Sequence, residues 1–109
     1  MKISELAKEL GLVPVSVPDE EREASGVYIG DLLSWVMGRA QCDNVWITIM
    51  SNVNIVAVAS LVDVACIVLA EGVTLDAAVV QTAQQKGVNI YSTDKTAYEV
   101  AAMLSQILK

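Results

Sequence analysis

The sequence predicts a small α/β domain in which a parallel sheet of βα units is flanked by helices, and three observations carry that prediction. From Val45 onward a β-branched apolar run, a polar turn and a helical pattern follow one another three times, the mark of parallel strands joined by right-handed crossovers. The chain has 109 residues of which 54% are hydrophobic, enough to fill a core without disulfide or metal. Helical patterns also stop at glycine, at Gly11, Gly38 and Gly87.

Taken in order, Ile3, Leu6, Ala7 and Leu10 fall on one face of a short amphipathic helix that starts near Ser4 and ends at Gly11. Val13, Val15 and Val17 alternate with Pro14, Ser16 and Pro18, an extended segment that suits a sheet edge because proline cannot donate to a ladder. The run 19–23 (Asp-Glu-Glu-Arg-Glu) reads as a solvated acidic turn without a functional role. The run 26–30 (Gly-Val-Tyr-Ile-Gly) is expected to form a second short strand, and Asp31 to cap a helix with Leu32, Leu33, Trp35 and Val36 at helical spacing up to Gly38.

The repeated units follow. Residues 45–50 form the first strand by their β-branched content, 51–54 (Ser-Asn-Val-Asn) a polar turn, and 55–62 a helix. Residues 66–70 form the next strand, ended by Glu71-Gly72; Thr74 is expected to cap a helix over 75–86 with Ala78, Val79, Thr82 and Ala83 inward. Residues 88–91 form the last strand, 92–94 a polar turn and cap, and 96–108 a closing helix with Val100, Met103, Leu104 and Ile107 on one face. One domain over 1–109 is expected, with an N-terminal portion at 1–44 and the βα repeats at 45–109.

Composition removes several function classes. The net charge is −6, from 7 basic and 13 acidic residues, and the only arginines are Arg22 and Arg39, too little positive charge to neutralise several phosphates of a nucleic acid. The absence of histidine removes the commonest general base and metal ligand. Cys42 and Cys66 match no zinc spacing and read as small buried apolar residues in a reducing compartment. The most apolar stretch, 55–70, is 16 residues long and carries Ser60 and Asp63; a membrane span needs roughly 20 residues. With no leader pattern behind Met1-Lys2, a cytoplasmic location is expected.

Three polar turns fall at the carboxyl ends of the predicted strands, where open α/β sheets bind ligands. Ser51, Asn52, Asn54, Glu71, Gly72, Ser92, Thr93 and Thr96 are therefore the candidate ligand-binding residues, with helix capping as the competing account of Thr74, Asp94 and Asn52. No phosphate-binding glycine loop is present, and Glu71 and Asp94 would oppose a phosphate unless Lys95 or a metal offset them. Of the carboxylates Asp31, Asp63, Glu71 and Asp94, no two have a helical spacing that pairs them, and Asp63 is expected in the turn entering the second repeated strand. Neither a catalytic role nor a cofactor is expected.

The stretch 47–104 resembles a DRTGG domain, a small α/β module found beside CBS domains in some pyrophosphatases, in some phosphotransacetylases, and alone. Ser51-Asn52 stands at the Asp-Arg position, Ala70-Glu71-Gly72 at the Thr-Gly-Gly position, and Ser92-Thr93-Asp94-Lys95-Thr96-Ala97 at the closing turn and helix start. The beginning of the chain, 4–12 and 26–34, is similar to stand-alone members and to the amino-terminal domain of HPr kinase, including a Gly-Asp-Leu-Leu-Ser segment at 30–34 like that of members encoded beside iron-only hydrogenase genes. The resemblance implies a non-catalytic regulatory or dimerisation module. A homodimer acting through contact with a protein partner is the first expectation, tuned in some form by a small ligand; a nucleotide or metabolite sensor at the strand ends is the second. For Trp35, Met37 and Met50 core packing is the first reading and an interface anchor the second.

Overall fold

Residues 1–108 are described by a computed structural model, with five helices and five strands. Their order is α1 (Ile3–Leu10), β1 (Val13–Ser16), β2 (Val27–Ile29), α2 (Leu33–Arg39), β3 (Val45–Thr48), α3 (Asn54–Val62), β4 (Cys66–Leu69), α4 (Ala77–Lys86), β5 (Ile90–Ser92) and α5 (Ala97–Ile107). The strands lie in the order β1-β5-β4-β3-β2. Strands β2 to β5 are mutually parallel, and β1 joins the far edge antiparallel to β5.

This order fixes the layers. Three successive crossovers advance across the sheet in one direction, and with a common right hand they must carry their helices to one face. Accordingly α2, α3 and α4 supply Val36, Ile55, Val56, Ala59, Val79 and Ala83 to a core shared with Trp46, Ile67, Leu69 and Ile90. The opposite face would be bare but for the first and last helices: Ile3, Leu6 and Leu10 of α1 and Val100 and Leu104 of α5 cover Val45, Ile47, Cys66, Val68 and Tyr91. Every residue of β3 and β4 is buried, because each strand has helices on both sides. Trp46 is fully buried and its indole Nε1–H donates to the Gly30 carbonyl at 2.9 Å, which gives its polar edge the partner that burial requires.

The two edges of the sheet are built differently. On β1, Pro14 removes a donor and the register breaks between Pro14 and Ser16, both of which hinder a further strand from pairing there. On β2, the 3-residue strand carries neither proline nor charge.

Several local expectations are corrected. Helix α4 begins at Ala77 after Asp76 rather than at Thr74, and Ala78 faces solvent. Helix α5 is capped by Thr96 rather than Asp94, through a capping box in which the Thr96 hydroxyl accepts the Glu99 N–H and the Glu99 carboxylate accepts the Thr96 N–H. Cys66 is buried as expected, but Cys42 is exposed, with its thiol 3.6 Å from an Asp63 carboxylate oxygen. Desolvation, with the nearby Asp43 and Asp63, raises the Cys42 thiol above its ordinary range. Met50 packs against the core, whereas Trp35 and Met37 do not.

The acidic turn is not merely solvated. Arg22 reaches across to the amino ends of the strands, where its guanidinium donates to Asp43 Oδ1 (2.8 and 3.2 Å), Asp63 Oδ1 (3.1 Å) and the Asp63 carbonyl (2.8 Å). Asp43 and Asp63 both hold left-handed backbone, Asp63 as the cap that turns α3 toward β4, and the Asp43 N–H donates to the Asp63 carbonyl. One arginine thus ties the 17–26 excursion to both turns, and Asp43 and Asp63 share this one cation.

Candidate functional site

The carboxyl ends of the parallel strands lie together, so the three predicted turns do form one rim. Ser51, Asn52 and Asn54 lie exposed beyond β3, Glu71 and Gly72 exposed beyond β4, and Ser92, Thr93 and Thr96 beyond β5, with Thr93 buried. Three of their side chains are already engaged locally. The Asn52 carboxamide oxygen accepts the Asn54 N–H, the Thr93 hydroxyl accepts the Lys95 N–H, and Thr96 caps α5.

The turns beyond β4 and β5 are also bonded to one another. The Glu71 N–H donates to the Lys95 carbonyl (2.8 Å), the Gly72 N–H to the Thr93 carbonyl (2.9 Å) and the Thr93 N–H to the Leu69 carbonyl (2.9 Å). Backbone donors of this kind are what would cradle an anion at the end of an α/β sheet; in these two turns they point inward. The Lys95 ammonium, which could have offset Glu71 and Asp94, donates instead to the Leu10 carbonyl at the end of α1. Because β2 to β5 follow one another without reversal, the parallel part of the sheet has no switch point at which a crevice would open.

Glu71 and Gly72 carry φ of +60° and +73° in succession. A Cβ on Gly72 would stand 3.2 Å from an Asp94 carboxylate oxygen. Two left-handed residues in a row are a glycine's conformation, which gives the Gly-Gly of the resemblance noted above a physical cause at these positions.

The corner at the other end of the rim departs from the expected capping role of Asp31. Asp31 does not cap α2, whose N-cap is Leu32; its carboxylate accepts the Thr48 hydroxyl (2.8 Å) and the Ile49 N–H (3.0 Å), locking the β2–α2 turn to the end of β3. That lock holds apolar side chains in solvent: Ile29, Leu32, Trp35 and Ile49 are between 44% and 59% exposed. Leu32, Trp35 and Arg39 form the outer stripe of α2, while Leu33, Val36 and Ala40 form the stripe that packs inward. The Arg39 guanidinium lies 3.7 Å over the Trp35 ring.

The edge of β2 completes the corner. The Val45 N–H donates to the Gly26 carbonyl and the Gly30 N–H to the Ile47 carbonyl. By the alternation of a parallel ladder, Tyr28 also bonds inward, and the backbone groups of Val27 and Ile29 face outward from the sheet. Among the described residues no three metal-ligating side chains converge, and no helix is long and apolar enough to cross a membrane.

Residues 19–107 match the family model of the DRTGG domain. The chain belongs to the DRTGG domain family. No curated protein matches the sequence. A solved structure with the same fold is the CBS and DRTGG regulatory region of Clostridium perfringens pyrophosphatase, complexed with its activator diadenosine tetraphosphate; it superposes with a TM-score of 0.80 at 12% identity, over 98% of this chain and 47% of that one. This DRTGG domain therefore spans about half the length of that regulatory region.

Proposed function

We propose that this DRTGG domain is a non-catalytic regulatory module that works by self-association through its β2 edge. The observation that carries the reading is the open strand edge of Val27 and Ile29 flanked on both faces by exposed apolar side chains, Ile29 on one and Leu32 and Trp35 on the other. Two copies related by a two-fold axis would pair β2 against β2 and cover Trp35 on both sides, an isologous contact that closes on itself. The corner also suits a chain of net charge −6, because its exposed side chains are apolar except for Arg39 and the engaged Asp31. Trp and Arg are the residue types that most often dominate such contacts. Membership of the DRTGG domain family agrees with a regulatory role.

Light-scattering mass across a concentration series tests the proposal. The expected result is a dimer at low micromolar concentration that Trp35→Ala weakens, with the helical content unchanged; a variant that keeps its dimeric mass would overturn the role given to Trp35.

A second reading, a nucleotide or metabolite sensor at the rim, is favoured by one observation: a regulatory region of the same fold was crystallised with a dinucleotide activator. That region holds CBS domains as well as a DRTGG domain, and here the donors of two turns face inward. A ligand at about 100 times its dissociation constant adds roughly 2.7 kcal/mol, so a thermal-shift screen of adenine and guanine nucleotides decides it: a shift of several degrees, lost in Asn54→Ala, supports the sensor, and no shift rejects it.

A further inference from the structure

On the α2–α3–α4 face a groove of about 410 Å³ lies between α3 and α4, away from the β2 edge and meeting the rim only at Asn54, whose N–H is bonded to Asn52. One helix stripe supplies its wall: Val53, Val56, Ala57, Ser60 and Leu61 recur at the spacing of a single face of α3. The middle of this wall is made of the small residues Ala57 and Ser60, and the ends stand proud, with Leu61 72% and Val53 48% exposed. Packing of the fold does not account for these two apolar side chains in water, and a volume in this range is typical of small-molecule sites.

The opposite wall is α4, which brings Thr82 and, one turn further on, Lys86. Both helices run back from the carboxyl ends of parallel strands, so Lys86, in the last turn of α4, stands at the same end of the groove as Leu61, in the last turn of α3. Lys86 is the only charged residue lining the groove and makes no ion pair among the described residues. By contrast Lys2 is paired with Glu21 and Lys95 is held by a carbonyl.

We propose that this groove binds a small amphipathic monocarboxylate, its apolar body along Val53, Val56 and Ala57 and its carboxylate at the Lys86 ammonium. Charge complementarity selects an anion. The same end of the groove holds the carboxyl ends of two helices, whose partial negative charge opposes a phosphate dianion more than a single carboxylate. Lys86 is a point charge without the forked donors that hold phosphate in two contacts.

Octanoate is the probe, titrated into the isotopically labelled protein with amide shifts as the readout and with methyl octanoate and octylammonium as the uncharged and cationic controls. Saturable shifts confined to residues 53–61 and 82–86 are expected, tightest for octanoate. Lys86→Gln should weaken octanoate about fivefold, the upper range for an exposed ion pair, and leave methyl octanoate unchanged. Ala57→Leu, a helix-compatible change at an exposed position, should remove the shifts for all three by filling the groove. Absence of saturable shifts, octylammonium binding as tightly as octanoate, or an unaltered octanoate affinity in Lys86→Gln each overturns the proposal.

Discussion

Glu71 and Gly72 hold the same left-handed backbone but differ in what that conformation costs them. A side chain in this region costs about 1–2 kcal/mol relative to glycine, and a glycine gives back part of that through the greater freedom of its unfolded chain. Glu71→Gly is therefore expected to stabilise the fold by about 0.5–1 kcal/mol. Gly72→Ala is expected to destabilise it by about 1–2 kcal/mol, since the new Cβ would also crowd Asp94. Urea unfolding of both variants checks the pair, and a loss of stability in Glu71→Gly would contradict the account of this turn. Arg22 is the other residue whose role is specific. Its three partners are partly exposed, so Arg22→Met should cost about 1–2 kcal/mol, below the full value of buried charged hydrogen bonds. Arg22→Lys should recover little, because an ammonium cannot reach two carboxylates and a carbonyl with one planar fork; full recovery would show that only the charge matters. Neither residue's role was legible in the sequence: the partners of Arg22 lie 21 and 41 positions away, and left-handed backbone at a glutamate leaves no mark in composition.

Among the elements, α5 was legible in its apolar stripe but not in its cap, which the sequence reading placed at Asp94. Thr96 and Glu99 stand three apart before an apolar stripe, and the structure makes both bonds of the box. Hydrogen bonds from Thr96 hold the Glu99 carboxyl below its ordinary range. Thr96→Ala should lower stability by about 1 kcal/mol, measured by thermal unfolding; an unchanged midpoint would mean that α5 is held by Val100 and Leu104 alone. The α1 face, the α5 stripe and the three repeated strands were legible, because buried strands and amphipathic stripes are written in residue type. Helix α2 was not. Its inner stripe (Leu33, Val36, Ala40) and outer stripe (Leu32, Trp35) are both apolar, so periodicity cannot say which one meets the sheet. Asp31 misled for a related reason: an aspartate before a helix suggests a cap, and only the register of β2 on β3 brings Thr48 and Ile49 within its reach.

At the scale of the whole molecule, the α1/α5 face carries two buried acids in their neutral forms. Burial pushes the Cys66 thiol up from 9.0 to about 12, and burial, with smaller contributions from Cys66 and Glu20, pushes the Tyr91 hydroxyl up from 10.0 to about 12. Both folded values exceed the unfolded ones, so this stabilisation is complete below about pH 9 and is lost as the pH rises toward about 12. The urea midpoint should fall steeply across that window, and less steeply in Cys66→Ala; identical slopes would contradict the assignment. The sequence foretold the rim by placing polar turns after each strand, but not that two of these turns bond to each other, since that depends on the spacing of β4 and β5. Pro14 marked β1 as a blocked edge, but nothing in the sequence showed that β2 is the other edge and is open. That contrast is the centre of the account, and amide hydrogen exchange at Val27 and Ile29 tests it most directly. Protection of both amides that grows with protein concentration, and disappears in Trp35→Ala, is the predicted result. Fast exchange at both positions in a sample whose mass is dimeric would contradict it, because the two copies would then meet elsewhere.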